Sequence, residues 1–166
     1  MFMKERLITQ VEIDKCIGLL DEDYHGCPMF IFHNFWDYVK WSIKYKYIDV
    51  KQMKKAYKGK VGGTYTSGLN FIHIYAFNYN SVDKRFVKQC IIHTVLHELR
   101  HYYQYKTEPE KWRKLQKVSH TIDNDEYREK PEEADANKFA ANMLKKYRLE
   151  ISKILNVYPD WDFTRS

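Results

Sequence analysis

The helical pattern that begins near residue 82 constrains this chain more than any other feature. Apolar residues recur at helical spacing across residues 82–96, as they do on the buried face of a helix, and Ser81 or Asp83 can cap its start. The pattern continues as HTVLHELRHYYQY at residues 93–105, which contains three histidines. Because unpaired polar groups are costly to bury, these histidines are expected to have a partner.

The sequence HELRH within this helix fits the pattern HExxH. His97 and His101 are four residues apart, so both imidazoles leave the same helix face about one turn, roughly 6 Å, from each other. Two nitrogens at this spacing can ligate one metal ion, and Glu98 can act as general base on a bound water. The alternative is a helix with two ordinary histidines and a surface glutamate.

A catalytic zinc site needs a third protein ligand besides the two histidines. A second helix is predicted to begin near Pro131, because proline suits the first helical turn. Glu133 leads a stripe of mostly small or apolar residues along this helix, so its carboxylate should point towards the first helix. Glu132 and Asp135 compete with it, and the stripe of Glu132 is also apolar. We favour Glu133 and keep Glu132 as the alternative.

The remaining pattern predicts a single α+β domain over residues 1–166. A chain of 166 residues suits one core, and no linker or repeat divides it. Residues 10–22 have helical character, residues 29–35 have strand character, and residues 61–79 read as a β-hairpin. The stretch between the two long helices is polar and irregular, with one helical turn expected near residues 112–118.

Composition predicts a cytoplasmic protein without a membrane partner. The chain is 44% hydrophobic and 30% charged, and no run approaches the eighteen or so apolar residues of a membrane span. Charged residues also interrupt any signal-like apolar stretch near the start. Three unclustered cysteines are interpreted as reduced structural thiols.

The net charge of +6 concentrates in the basic segment 37–60. Its lysines alternate with aromatic residues, a combination that can follow phosphates and stack on bases, so a nucleic acid is a permissible partner. We favour a simpler interpretation, in which Trp41, Tyr45 and Ile48 form the buried stripe of an amphipathic helix and the lysines are solvated.

HELRHYYQY together with EADANKFAANML resembles the zincin metallopeptidases of the gluzincin type, and most closely the ImmA/IrrE family. The resemblance covers residues 61–146. It implies a short mixed sheet packed on the HExxH helix and on a second, glutamate-bearing helix, with residues 69–77 as an edge strand for an extended peptide. HELGH is commoner than HELRH in the family, and its frequent Met-Pro after the second motif is absent.

The resemblance implies one Zn²⁺ per chain held by His97, His101 and Glu133, with Glu98 as the catalytic base. The expected activity is hydrolysis of a peptide bond, for example in a regulatory protein of a phage or mobile element. Tyr127 and His120 are candidates for stabilising the oxyanion. The alternatives are a nucleic-acid-associated protein that uses segment 37–60 and a zincin-fold protein that binds without cleaving. Manganese or iron could occupy the same ligands.

Overall fold

A computed structural model describes residues 7–81, 83–119 and 130–158, and it confirms the α+β class. None of the helices in these ranges is long and apolar enough to cross a membrane. The elements, in chain order, are α1 (Gln10–Ile17), β1 (Met29–Phe32), α2 (Phe35–Lys44), α3 (Val50–Tyr57), β2 (Gly63–Thr66), β3 (Phe71–Tyr75), α4 (Lys84–Thr107), α5 (Pro109–Ser119), α6 (Pro131–Lys146) and α7 (Arg148–Leu155).

The three strands of the described chain form one mixed sheet in the order β1-β3-β2. β2 and β3 pair antiparallel, with Thr64 opposite His73, so the predicted hairpin is confirmed. β1 pairs parallel to the other side of β3. The expected edge strand at residues 69–77 is therefore wrong, because β3 is the central strand and β2 is an edge. Every residue of β3 is buried, as a central strand covered on both faces requires.

The two faces of β3 belong to different apolar layers. Ile72 and Ile74 join the larger core, which includes residues of α1, α4, α6 and α7. Tyr75 joins a smaller, mostly aromatic core under α2 and α3. This division follows from the alternation of side chains along a strand.

α4 is the central helix of the larger layer. The Asp83 side chain caps its start by accepting a hydrogen bond from the Arg85 amide. At 1.5 Å per residue its 24 residues extend about 36 Å, and it packs against β2, β3, α1, α5 and α6. Ala136 and Ala140 of α6 are fully buried, so their small side chains allow α6 to approach α4 closely.

α5 is longer than the sequence suggested. The expected helical turn near residues 112–118 belongs to an eleven-residue helix. Its anchor is Trp112, which is buried and whose ring centroid lies 5.1 Å from that of His101. The helix contains few apolar residues among many charged ones, which is why the sequence pattern did not indicate its full length.

The predicted buried stripe of the basic segment is wrong. Trp41 is half-buried, but Tyr45 is 54% exposed and Ile48 is 63% exposed. The reason is that α2 ends at Lys44, and Lys46 then takes a left-handed conformation with φ of 55°. The helical spacing therefore stops before it can carry Tyr45 and Ile48 to the buried face.

Candidate metal centre

α4 and α6 bring three donor groups together. The Nε2 atoms of His97 and His101 lie 3.0 Å apart, and the two Glu133 carboxylate oxygens lie 3.2 Å from Nε2 of His97 and 3.4 Å from Nε2 of His101. All three donors lie within 4.8 Å of one another. Two imidazoles and one carboxylate at this spacing could hold a metal ion.

The other ring nitrogen of each histidine faces an amide oxygen. Nδ1 of His97 lies 2.9 Å from Oδ1 of Asn137, and Nδ1 of His101 lies 2.9 Å from Oε1 of Gln104. The orientation of the Gln104 amide is fixed by its neighbours, because its Nε2 donates to the Glu132 carbonyl and to the Asp135 carboxylate. Both histidines thus donate from Nδ1 and direct Nε2 at the centre, as metal-binding histidines do.

This arrangement needs a positive charge at its centre. Two Nε2 lone pairs and a carboxylate converge there, and they would repel one another without a proton or a metal ion between them. The pKa of His101 is consistent with this preference for a positive charge. Burial lowers it, but the hydrogen bond to Glu133 and the charges of Glu98 and Glu133 outweigh burial and raise the pKa to about 9. A metal ion would take the place of that proton.

Glu98 lies beside the donor group and is held by the sheet. It is buried, and its Oε2 accepts a hydrogen bond of 2.7 Å from the Tyr65 amide of β2. Burial raises the pKa of this carboxyl group, against the lowering effect of His101 and His97. The carboxylate is therefore oriented by a backbone donor and has an increased affinity for a proton.

Gly63 makes the close approach of β2 and α4 possible. A Cβ atom at this position would lie 2.6 Å from Cγ2 of Thr94 and 3.0 Å from Cγ of Glu98. The neighbouring Tyr79 hydroxyl hydrogen-bonds to the Thr94 hydroxyl. A side chain at residue 63 would push β2 away from the helix that carries the site.

The two competing carboxylates of α6 have other positions. Oε2 of Glu132 is buried without a hydrogen-bond partner in the described chain, and Glu132 is outside the donor group. Asp135 accepts hydrogen bonds from Arg100 at 2.7 and 3.3 Å. Arg100 also donates to the Tyr24 hydroxyl at 2.6 Å. The arginine of HELRH thus ties α4 to α6 and to the turn before β1.

Two further histidines of the described chain, His93 and His73, are not members of the donor group. Tyr127 and His120, the predicted oxyanion stabilisers, lie outside the described residues. His93 lies outside the donor group, and burial lowers its pKa. His73 is a core histidine, packed with ring centroids 4.4 Å from Trp41 and 4.5 Å from Phe71, and burial lowers its pKa to about 3.

Sequence reasoning missed the groups that support the donors. Gln104 follows His101 by three residues, a spacing that places both on one helix face, so it could have been found. Asn137 lies one turn after Glu133, so the same helical spacing indicates that these two residues share a face. The Tyr65 amide had no sequence signal, because the pattern of side chains does not indicate which backbone amides act as donors.

Comparison with protein families, with curated proteins and with solved structures finds no match for this chain. The function proposed below therefore depends on the geometry of the described residues and on their chemistry.

Proposed function

We propose that this chain is a zinc-dependent endopeptidase that hydrolyses a peptide bond of a protein substrate. The observation that supports the proposal most is the combination of His97, His101 and Glu133 around one point with the oriented, buried Glu98 beside them. A three-ligand site of nitrogen and oxygen donors is the usual protein contribution to a catalytic zinc centre.

Zinc in such a site polarises a carbonyl group and lowers the pKa of water to about 7. Glu98 accepts the proton that the attacking water loses, and it then donates this proton to the leaving nitrogen. The Tyr65 amide holds one carboxylate oxygen during both transfers.

The imidazole tautomer of His97 and His101 is also part of the proposed mechanism. Gln104 and Asn137 accept from Nδ1 and keep each Nε2 directed at the centre. Because Gln104 is itself bonded to two acceptors on α6, the imidazole of His101 cannot rotate without breaking a network that spans both helices.

The position of β2 supports an extended peptide as the substrate. β2 is an edge strand of the described sheet and packs against α4. An extended chain can add to a sheet edge through backbone hydrogen bonds. On β2 the Tyr65 amide is already bonded to Glu98, so the other backbone groups of this edge would hold the peptide and place one of its bonds near the donor group. Three free cysteines fit a reducing compartment, and we propose the cytoplasm.

Metal content tests the proposed site. Protein purified without chelator and supplied with zinc is expected to hold about one zinc per chain, and His97→Ala and Glu133→Gln are expected to lose it. Glu132→Gln is the matched control, because Glu132 is the adjacent buried carboxylate outside the donor group. Absence of zinc from the wild type, or equal loss from both glutamine variants, contradicts the proposal.

Peptide cleavage tests the proposed reaction. A library of unstructured peptides incubated with the zinc-loaded protein is expected to yield defined fragments by mass spectrometry. Glu98→Gln is expected to keep the metal and to lose cleavage by at least about a hundredfold, the lower range of a general base contribution. A Glu98→Gln variant as active as the wild type would refute the assigned role.

A further inference from the structure

The helices α2 and α3 carry a strongly basic surface. Residues 35–60 contain eight lysines and two aspartates, which equals the whole net charge of +6, so the rest of the chain has twenty basic and twenty acidic residues. All eight lysines are exposed. We call them the lysine surface: Lys40, Lys44, Lys46, Lys51, Lys54, Lys55, Lys58 and Lys60.

The charge of this surface is not compensated within the described chain. None of its lysines forms an ion pair with a described residue, whereas Lys88, Lys106 and Lys111 elsewhere all do. Uncompensated charges of one sign repel one another. A surface of this kind is complementary to an anionic partner.

Large apolar side chains are exposed among these lysines. Trp36 is 68% exposed, and the other members also have more than half of their surface in water. Four of them follow one another closely where α2 ends and α3 begins. The six side chains are Trp36, Ile43, Tyr45, Ile48, Val50 and Tyr57.

The composition of the surface selects among anionic partners. A nucleic acid would use the aromatic rings for stacking and would favour arginine, but it gives no account of three exposed aliphatic side chains, and the surface contains no arginine. A second copy of the same surface would be repelled by its charge. A phospholipid bilayer accounts for all three kinds of residue, because aliphatic groups enter the acyl boundary, tryptophan and tyrosine sit at the interface, and lysines bind anionic headgroups.

We propose that the α2–α3 surface docks on the face of an anionic phospholipid membrane, with Ile43, Ile48 and Val50 entering the bilayer boundary. This is adsorption to one leaflet, with none of the described helices crossing the membrane, and it departs from the expectation from composition that the chain has no membrane partner. The lysines supply the long-range attraction, which salt weakens, and the apolar cluster supplies the contact. The inference is independent of the metal centre, which lies on the opposite side of the sheet from α2 and α3.

Vesicle sedimentation tests the proposal with the full chain. The protein is expected to sediment with vesicles of equimolar phosphatidylcholine and phosphatidylserine and not with phosphatidylcholine alone. Raising the salt from about 0.1 M to about 0.5 M is expected to reduce the bound fraction severalfold. The Trp36 indole is expected to enter the interface, giving a blue-shifted emission that Trp36→Phe removes.

Two variants separate the charged from the apolar contribution. Lys54→Glu with Lys58→Glu is expected to weaken binding by at least about tenfold, and Ile48→Ser by about tenfold at unchanged charge. The matched controls lie on α6 and α7, where Lys145→Glu with Lys153→Glu and Leu149→Ser change equally exposed residues. Circular dichroism verifies that each variant is folded.

Three results would overturn the proposal. They are equal binding to neutral and anionic vesicles, equal weakening by the test and control variants, and binding to a single-stranded oligonucleotide in place of vesicles. The last is measured by fluorescence anisotropy. Nucleic-acid binding would be lost with the lysines and would survive Ile48→Ser, whereas docking on lipid requires both.

Discussion

Replacing Gly63 by alanine tests how closely β2 must approach the helix that carries the candidate site. The new Cβ would lie 2.6 Å from Cγ2 of Thr94 and 3.0 Å from Cγ of Glu98. Carbon atoms normally approach to about 3.5–4.0 Å, so the contact with Thr94 would be about 1 Å too short. Overpacking of this kind costs about 1–3 kcal/mol of unfolding free energy.

For a domain of this length, each kcal/mol changes Tm by about 2–4 °C. We therefore expect Gly63→Ala to lower Tm by about 2–12 °C in a thermal melt followed by circular dichroism. Gly68→Ala is the matched control, because a Cβ atom there would have no neighbour within 4 Å. That variant is expected to have an unchanged or slightly raised Tm.

A second variant locates the clash. Thr94→Ser removes the methyl group that the new Cβ meets and keeps the hydroxyl that pairs with Tyr79. The double variant Gly63→Ala with Thr94→Ser is expected to recover part of the lost Tm, because the contact with Glu98 remains. Exchange of the Tyr65 amide should be faster in Gly63→Ala, since a displaced β2 weakens its bond to Glu98. Equal Tm values for the Gly63 and Gly68 variants would refute the reasoning.

Three further predictions concern the donor group and its supports. Gln104→Leu is expected to weaken zinc binding about 10–100-fold in a chelator competition at unchanged circular dichroism, because His101 loses the acceptor that orients it; unchanged affinity would contradict this role. In metal-free protein the raised pKa of His101 stabilises the folded state fully below about pH 6.5, and this contribution is lost as the pH rises through about 9. Tm is therefore expected to fall between these values, and less steeply in His101→Gln. Arg100→Met is expected to lower the unfolding free energy by about 1 kcal/mol in urea, because Asp135 loses its charged partner and keeps only the hydrogen bond from Gln104, whereas Tyr24→Phe should cost less because the Asp135 ion pair survives.

The long helices were the most predictable part of the fold. α4 and α6 begin close to the predicted residues because each combines helical periodicity with a start signal, Asp83 in one and Pro131 in the other. The shared direction of His97 and His101 follows from helix geometry alone. The close approach of α6 to α4 was also predictable from the sequence, because Ala136 and Ala140 are small.

Other features depend on contacts that sequence pattern does not encode. Pairing of β1 with β3 joins segments about forty residues apart, and nothing in either segment says which strand lies at the edge. The exposure of Tyr45 and Ile48 depends on where α2 ends, and helix ends are poorly marked by periodicity. The choice of Glu133 over Glu132 depends on how α6 is rotated about its axis relative to α4. The sequence does not determine this rotation, because each of the two glutamates lies on an apolar stripe.

Two of the three residues of the donor group lie on one helix and the third lies on another. His97 and His101 belong to α4, whereas Glu133 belongs to α6 and lies 32 residues beyond His101. A cation held by all three is a tether across the α4–α6 interface, because separating the helices would leave it with only the two histidines. The strength of cation binding then reports how firmly the two helices are docked, and any change that loosens α6 lowers it without touching a ligand.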